Sequence, residues 1–504
     1  MIHAVGYSNS GFESVQLKVT AGTAGNIESV KAVSGPTELF GQAEDIEAKR
    51  KFKSFVRDGS PVRASFSDYV SIVPPEQWAT TNTPFPDIKD WSTLKMRLQR
   101  TRCFGGCPDY SVEINGQGKV DFSGTFGVLV MGRHRGTLSK QATEALLSAF
   151  RAANYFSLKN SYSYPVTDNP TYDTSIEFDG ERKSVRDYVG LKAGMPEAVR
   201  DLEEAFDRIA GTEKWIKGNQ ETASALIAEN WDFKADSDEN RVLFASAVNS
   251  GINDLIQLFV SKGAPALSMT KDGQGALISA ASNGDLDLVK RMLANQSSPP
   301  TAILTCALGA AARSGNLDLM RLLLDKGGQP NGPGCGQFES VTVLMNAVAS
   351  HKAEIVKEIL EYHPDIDATS GNGGYTALGY FLERAPNQFD TAEIVKLLIS
   401  AGANVNARDR DERTPVFYAC QNQHPEAIRL LAGAGADLNA KDRNGQTALM
   451  SCFGNVGVKA VMEAGADLTV KNQWGRTAAE EARKMGAVDK ADLLDTAMRQ
   501  KKAP

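Results

Sequence analysis

The spacing of apolar positions changes character along this chain, and each change marks an expected boundary. Near the amino terminus VQLKV (15–19), AGNIESVKAVSG (24–35) and GSPVRASFSDYVSIV (59–73) alternate apolar with polar residues, the two-residue period of half-buried strands. Between them ELFGQAEDIEAKRKFKSF (38–55) repeats Phe40, Ala43, Ile46 and Phe52 at helical spacing. The order strand, strand, helix, strand predicts a small α+β domain over 1–75. PPEQWATTNTPFPDIKDW (74–91) is proline-rich and lacks a period, which predicts a linker over 76–91.

A second α+β pattern fills 92–217. LKMRLQRT (94–101) and DYSVEINGQGKVDFSG (109–124) read as strands, the latter turning at Asn115-Gly116-Gln117-Gly118. SKQATEALLSAFRAANYF (139–156) is an amphipathic helix with Ser139 as its cap. TSIEFDGERKSVRDYV (174–189) is a second hairpin, MPEAVRDLEEAFDRIAG (195–211) a second helix, and Trp215 closes the unit.

From about Asn240 onward the pattern becomes helical and repetitive, with a period near 33 residues. The clearest copy, DRDERTPVFYACQNQHPEAIRLLAGAGADLNAKDRNGQTAL (409–449), holds a hairpin, a Thr-Pro turn, two short helices and a Gly-Ala-Asp-x-Asn-Ala exit. Thr414 is placed to cap the first helix with its side chain, and Pro415 to occupy the first helical position, where a missing N–H costs nothing. These residues resemble an ankyrin repeat. The resemblance implies an all-α solenoid of about eight repeats over 218–504, with 220–235 and a polar last repeat as caps. Two insertions, GQPNGPGCGQFE (328–339) and RAPNQFDT (384–391), enlarge loops of the array.

The ankyrin resemblance also implies a protein partner on the concave surface, chosen by side chains at the hairpin tips. Carried onto this chain, those positions are Lys271, Asp272 and Gln274; Asn372 and Tyr375; Arg410, Asp411 and Arg413; Arg443, Asn444 and Gln446; and Gln473, Trp474 and Arg476. Arginine and tryptophan dominate binding hot spots, which singles out Trp474.

Two further resemblances concern the amino-terminal half. Val30, Val33, Ser34, Gly35, Leu39, Gly59, Pro61 and Val62 follow a pattern similar to the carboxy-terminal domain of TonB, which implies a binding or structural domain of the periplasm. RTRCFGGCPDYSVEINGQGKVDFSG (100–124), with Asp168 and Pro170 further on, resembles a bacterial domain family of unknown function marked by Cys-Phe-Gly-x-Cys-Pro-x-Tyr. That resemblance names a family without an activity.

Composition narrows the picture. The 504 residues are 42% hydrophobic and 23% charged with a net charge of −6, too mild an imbalance to argue for nucleic acid or an anionic membrane. No apolar run reaches the length of a membrane span. The opening MIHAVGYSNSG has neither a basic nor a hydrophobic leader segment, so the expected location is periplasmic with the leader removed, with cytoplasmic as the alternative.

Cys103 and Cys107 flank Phe-Gly-Gly before a strand. A disulfide staple fits best, since glycines let the backbone fold back and Pro108 fixes the exit. Reduced packing thiols, a redox pair or a metal site remain as alternatives, with His134 the sole plausible local addition to a zinc set. Cys306 and Cys420 fall on apolar helical positions and read as small buried hydrophobes. The staple agrees with the periplasmic reading, because such bonds persist in oxidising compartments.

No nucleophile elbow, phosphate loop or zinc-protease motif occurs, and no cofactor or metal is expected. The run NSYSYPVTDNPTYD (160–173), with Asp168 and Asp173, is the one cluster outside the repeats suited to a small polar pocket. The expected fold is multidomain: two small α+β domains followed by an ankyrin solenoid. The favoured function is a non-enzymatic interaction protein, in a sharper form an envelope inhibitor or immunity factor. The competing reading is an envelope enzyme or small-ligand receptor centred on the middle domain, with the repeats as a targeting arm.

Overall fold

A computed structural model of the chain describes residues 13–35, 37–49, 55–57, 60–72, 82–164, 166–294, 296, 298–332, 341–371, 373–386 and 391–502. It divides into two compact units, 1–231 and 232–504. The first carries sheets and a few helices, and the second is all-helical.

In the first unit β1 (Glu13–Ala21), β2 (Ile27–Ser34) and β5 (Ala64–Ile72) form an antiparallel sheet in the order β2-β1-β5. β3 (Phe55–Arg57) and β4 (Ser60–Val62) make a separate hairpin. The alternation in β1 drives the packing. Val15, Leu17 and Val19 share one face, are fully buried, and meet Leu39 and Ala43 of the helical segment. The helix α1 (Phe40–Ala48) is tied to β2 by Ala32 N, which donates to Glu44 Oε1 at 2.7 Å. The expected helix ran to residue 55; Phe52 and Gly59 lie outside the described residues.

The second sheet of this unit has seven strands: β6 (Lys95–Arg100), β7 (Asp109–Asn115), β8 (Lys119–Phe126), β9 (Gly132–Thr137), β10 (Ser161–Ser163), β11 (Tyr172–Phe178) and β12 (Glu181–Tyr188). Their order is β10-β12-β11-β6-β7-β8-β9, antiparallel except for the β10–β12 pair. Both expected hairpins form, whereas the short edge strands β9 and β10 carry too little alternation to be read from sequence. Ser139 caps α2 (Lys140–Ala152) by accepting from Ala142 N. That helix stops before the expected residue 156, because Asn154 turns left-handed and a 3-10 turn takes over at Tyr155–Ser157. Phe150 of α2 meets Phe206 of α3 (Glu197–Ala210) edge to face, with both rings fully buried. Trp215 is buried and stacks on Phe122 at 5.0 Å between ring centres, closing the core.

The second unit contains eight successive helix pairs among the described residues, from Asp238–Ser250 with Asn253–Lys262 to Ala478–Lys484 with Val488–Lys502. Neighbouring pairs are pinned by a device the sequence analysis missed. A polar side chain between helices reaches back to the end of the preceding repeat's first helix. Asn283 Nδ2 donates to the Val248 carbonyl at 3.2 Å, Asn316 Nδ2 to Gly284 at 2.9 Å and Asn422 Nδ2 to Leu382 at 2.8 Å. Each bond adds a side-chain donor to a carbonyl at or just past the end of a helix, where the intrahelical ladder runs out.

Two local expectations need correction. Thr414 does precede Pro415 at the helix start, but its side chain accepts no capping bond. Its backbone carbonyl accepts from Phe417 N at 2.9 Å instead, so the amide that the hydroxyl would have satisfied is already taken. Cys420 is fully buried as expected, yet it is bonded to Cys452 of the next repeat rather than packed as a free thiol. Cys306 is disulfide-bonded as well. Most of the insertion at 328–339 and the centre of that at 384–391 lie outside the described residues.

Candidate functional site

The hairpin edge of the array is built by one repeated arrangement. The first residue of each tip, Asp409, Asp442 or Asn472, turns its Oδ1 back over the hairpin. There it accepts two backbone N–H groups: Asp411 and Arg413 at 2.8 and 2.9 Å, Asn444 and Gln446 at 2.9 Å each, Trp474 and Arg476 at 3.1 and 3.0 Å. A short polar side chain is needed here because only it can reach the amides two and four residues on.

Successive tips are then stitched together. Arg410 donates from its backbone N to Gly373 at 3.1 Å and from its guanidinium to the Gly371 carbonyl. Arg443 repeats this one hairpin later, with its N on the Asp411 carbonyl at 2.9 Å and its guanidinium on the Arg410 carbonyl. Arg413 faces the buried Asp442 carboxylate at 3.8 Å, and Arg476 holds the buried Glu481 at 2.9 Å. These four arginines therefore organise the edge itself. Lys271, Asp272, Gln274, Asp411, Asn444 and Gln473 are exposed, and Gln446 and Tyr375 half-buried, while Asn372 lies outside the described residues.

Trp474 stands apart. It is 50% exposed, and its ring lies 5.8 Å from the Arg476 guanidinium and 5.7 Å from Lys484 Nζ.

The first unit holds a cleft of about 360 Å³, whose lining the sequence anticipated only at Asn169, Pro170 and Tyr172 of the run 160–173. Its walls are the Asn169–Tyr172 segment, the end of β12 with the turn after it, and one face of α3. Val189 in that turn has φ 56°, a left-handed conformation that a β-branched residue adopts only under strain. The next residue, Gly190, brings its N–H to 2.5 Å from Asp187 Oδ1; an added Cβ would lie 2.7 Å from the same oxygen. Glycine is thus required for the turn to close on this carboxylate.

The chemistry of the cleft is carboxylic. Glu203 of α3 is 6% exposed and lies beside the Asp187 carboxyl, and burial with the neighbouring Asp187 charge pushes it up to about 9. Burial likewise raises Asp187 and Asp207. Asp207 is fully occupied, since Oδ2 accepts from Tyr110 Oη at 2.6 Å and Oδ1 from Thr212 Oγ1 at 2.6 Å. Glu203 Oε1 receives no hydrogen bond. The spacing i, i+4 of Glu203 and Asp207 on one helix was visible in the sequence, but their burial was not.

The remaining expected positions resolve differently. Cys103 and Cys107 lie at disulfide distance, with sulfurs 1.97 Å apart, and Phe104 between them is 89% exposed. His134 sits in the core, its Nδ1 2.7 Å from Glu229 Oε2 and its Nε2 3.0 Å from the Met131 carbonyl, so both ring nitrogens are spoken for by protein. Among the described residues no group of three or more His, Cys, Asp or Glu is arranged to hold a metal ion. From the run 160–173, Asn169, Pro170 and Tyr172 line the cleft, while Asp173 pairs with Arg186 at 2.8 Å. No helix among the described residues is long and apolar enough to cross a membrane.

Comparison with known proteins agrees with this division. Residues 94–210 match the family model of a domain of unknown function, DUF6438. Residues 242–333, 308–390 and 382–472 match the model for ankyrin repeats. A transient receptor potential cation channel subfamily A member 1 homolog of Caenorhabditis elegans is 26% identical over 194 residues, 38% of this chain and 15% of that protein. The chain therefore carries a DUF6438 domain in its sheet-containing half and ankyrin repeats, a fold whose general use is protein–protein interaction, in its helical half.

Proposed function

We propose that the ankyrin array captures a protein partner on its concave face, with Trp474 as the central anchor, and that the protein works by occupancy rather than catalysis. The observation that carries this reading is the half-exposed indole flanked by Arg476 and Lys484. Large aromatic and arginine side chains supply most of the free energy at protein interfaces. The stitched hairpin edge supports it too, because an anchor held by a preorganised backbone loses little freedom on binding.

Cysteine pairs at disulfide distance, Cys103 with Cys107 and Cys420 with Cys452, favour an oxidising compartment. Together with the TonB-like pattern of the first domain they support a periplasmic site of action, where the protein would serve as an inhibitor or immunity factor filling an enzyme's cleft. The test uses the full chain. The partner is cross-linked in the native cell, identified, and titrated against wild type and Trp474→Ala. A loss of about 2 kcal/mol or more with the helical content intact supports the concave-face reading; unchanged affinity removes it.

A further inference from the structure

The cleft of the first unit brings two carboxyl groups together, one of them buried. The carboxyl groups of Glu203 and Asp187 are neighbours in the lining, and both are natural acceptors. Asp187 has the Gly190 N–H at 2.5 Å to satisfy one oxygen, whereas Glu203 Oε1, on a side chain only 6% exposed, is without a donor. A buried acceptor without a donor costs about 1–3 kcal/mol, more if it is charged. A proton shared by the pair is one remedy, and a cation with N–H donors is the other.

The surroundings suit the second remedy. Glu204 and Asp207 add two more carboxyl groups to the lining against the guanidinium of Arg200, itself within 4.0 Å of Glu204, while Arg100, outside the lining, lies 5.1 Å from the centre of the Tyr172 ring. Tyr172 contributes an aromatic wall, and Pro170, Val189 and Leu191 contribute apolar surface. Carboxylates beside an aromatic ring and aliphatic carbon match an organic cation better than a bare ion, because the ring face attracts the charge and the apolar surface covers a hydrocarbon stem. The strained turn at Val189 places these groups at one point of the fold.

We propose that this cleft binds a small organic cation, an alkylamine or guanidine, whose N–H groups donate to the carboxyl groups of Glu203 and Asp187 while its carbon skeleton lies along Tyr172 and Leu191. The site is independent of the ankyrin edge and gives the DUF6438 domain a ligand class. Facing Glu203 are Asp187 from β12, Arg200 and Asp207 from its own helix, and Tyr155 and Tyr172 from the sheet side. With Glu203 held protonated in the free protein, an arriving cation replaces the proton, so binding near neutral pH releases about one proton per ligand.

The experiment is isothermal titration calorimetry of the full chain at pH 7 with agmatine and putrescine as probes, run in two buffers of different ionisation enthalpy. Calcium chloride and N-acetylglucosamine serve as the inorganic and neutral comparisons. The expected result is saturable binding of at least one amine, with close to one proton released, weakened at least about tenfold in Asp187→Asn and Glu203→Gln and without proton release in Glu203→Gln. Circular dichroism establishes that both variants fold, and Glu204→Gln at the exposed rim, which leaves Glu203 and Asp187 intact, gives a milder third variant expected to bind more weakly. Silence of both amines, preference for calcium or the sugar, binding without proton release, or equal affinity in all variants would each overturn the proposal.

Discussion

Lys490, on the last helix of the chain, directs its Nζ at the carbonyl oxygen of Cys452, 2.7 Å away, and at that of Met450, 2.8 Å away. The side chain is 7% exposed and reaches across to the end of the short helix Ala448–Ser451. It performs for the terminal repeat what Asn283, Asn316 and Asn422 perform further back. An ammonium group can do this at the end of an array because its long stem spans the gap while the head satisfies two carbonyls.

Lys490→Met is expected to lower the stability of the helical unit by about 1–3 kcal/mol at pH 7, since two buried carbonyls lose their donor. Burial lowers the ammonium to about 8, below its ordinary 10.5. Between these values the unfolded chain binds the proton that the folded chain has released, so wild-type stability from this residue rises with pH across 8 to 10.5. The gap between wild type and variant should widen over that range in urea titrations.

Glu203 has the opposite sign. Its folded-state value of about 9 lies above the ordinary 4.5, so its contribution is full below pH 4.5 and is lost as pH climbs through 9. Glu203→Gln, which resembles the protonated acid, should gain stability relative to wild type as pH rises from 4.5 to 9. Thermal unfolding of the sheet-containing unit across that range is the measurement, and parallel curves would count against a protonated Glu203.

The hairpin tips offer a test of backbone geometry. Glu412 adopts φ 62° where the two following tips carry Gly445 at 69° and Gly475 at 75°. Glu412→Gly should leave the array unchanged or more stable by up to about 1 kcal/mol. Gly445→Ala should destabilise by about 1–3 kcal/mol, because the new Cβ would meet Gln473 N at 2.9 Å in a disfavoured backbone region. Chemical denaturation of the paired variants distinguishes the two effects.

Loop length predicts how the disulfide pairs rank. Cys103 and Cys107 close a separation of 4 residues, and Cys420 and Cys452 one of 32. Chain entropy then gives about 2 kcal/mol for the first and about 4 kcal/mol for the second. Double cysteine-to-alanine variants should reproduce that order, with the first pair affecting only the transition of the sheet-containing unit and the second only that of the helical unit.

The larger elements were legible because they depend on local repetition. The alternation in DYSVEIN predicts the buried face of β7, which includes Tyr110, Val112 and Ile114. The repeat DRDERTPVFYACQNQHPEAIRLL likewise predicts the helices Pro415–Gln421 and Pro425–Gly433. The edge strands β9 and β10 escaped because glycines, arginines and serines give them no period.

What the sequence determined by itself is the order of the larger elements, the ankyrin period, the tip positions and the proximity of Cys103 to Cys107, all set by residues close along the chain. The pairing of Cys420 with Cys452, the use of Arg410, Arg413, Arg443 and Arg476 as stitches, and the reach of Lys490 were decided by neighbouring repeats coming together. The acidic cleft belongs to the same class. Asp187 on β12 and Glu203 on α3 are ordinary charged residues in sequence, and packing of the helix beside the strand end made them a close pair, Glu203 buried and Asp187 half-buried, by removing water that would have screened them.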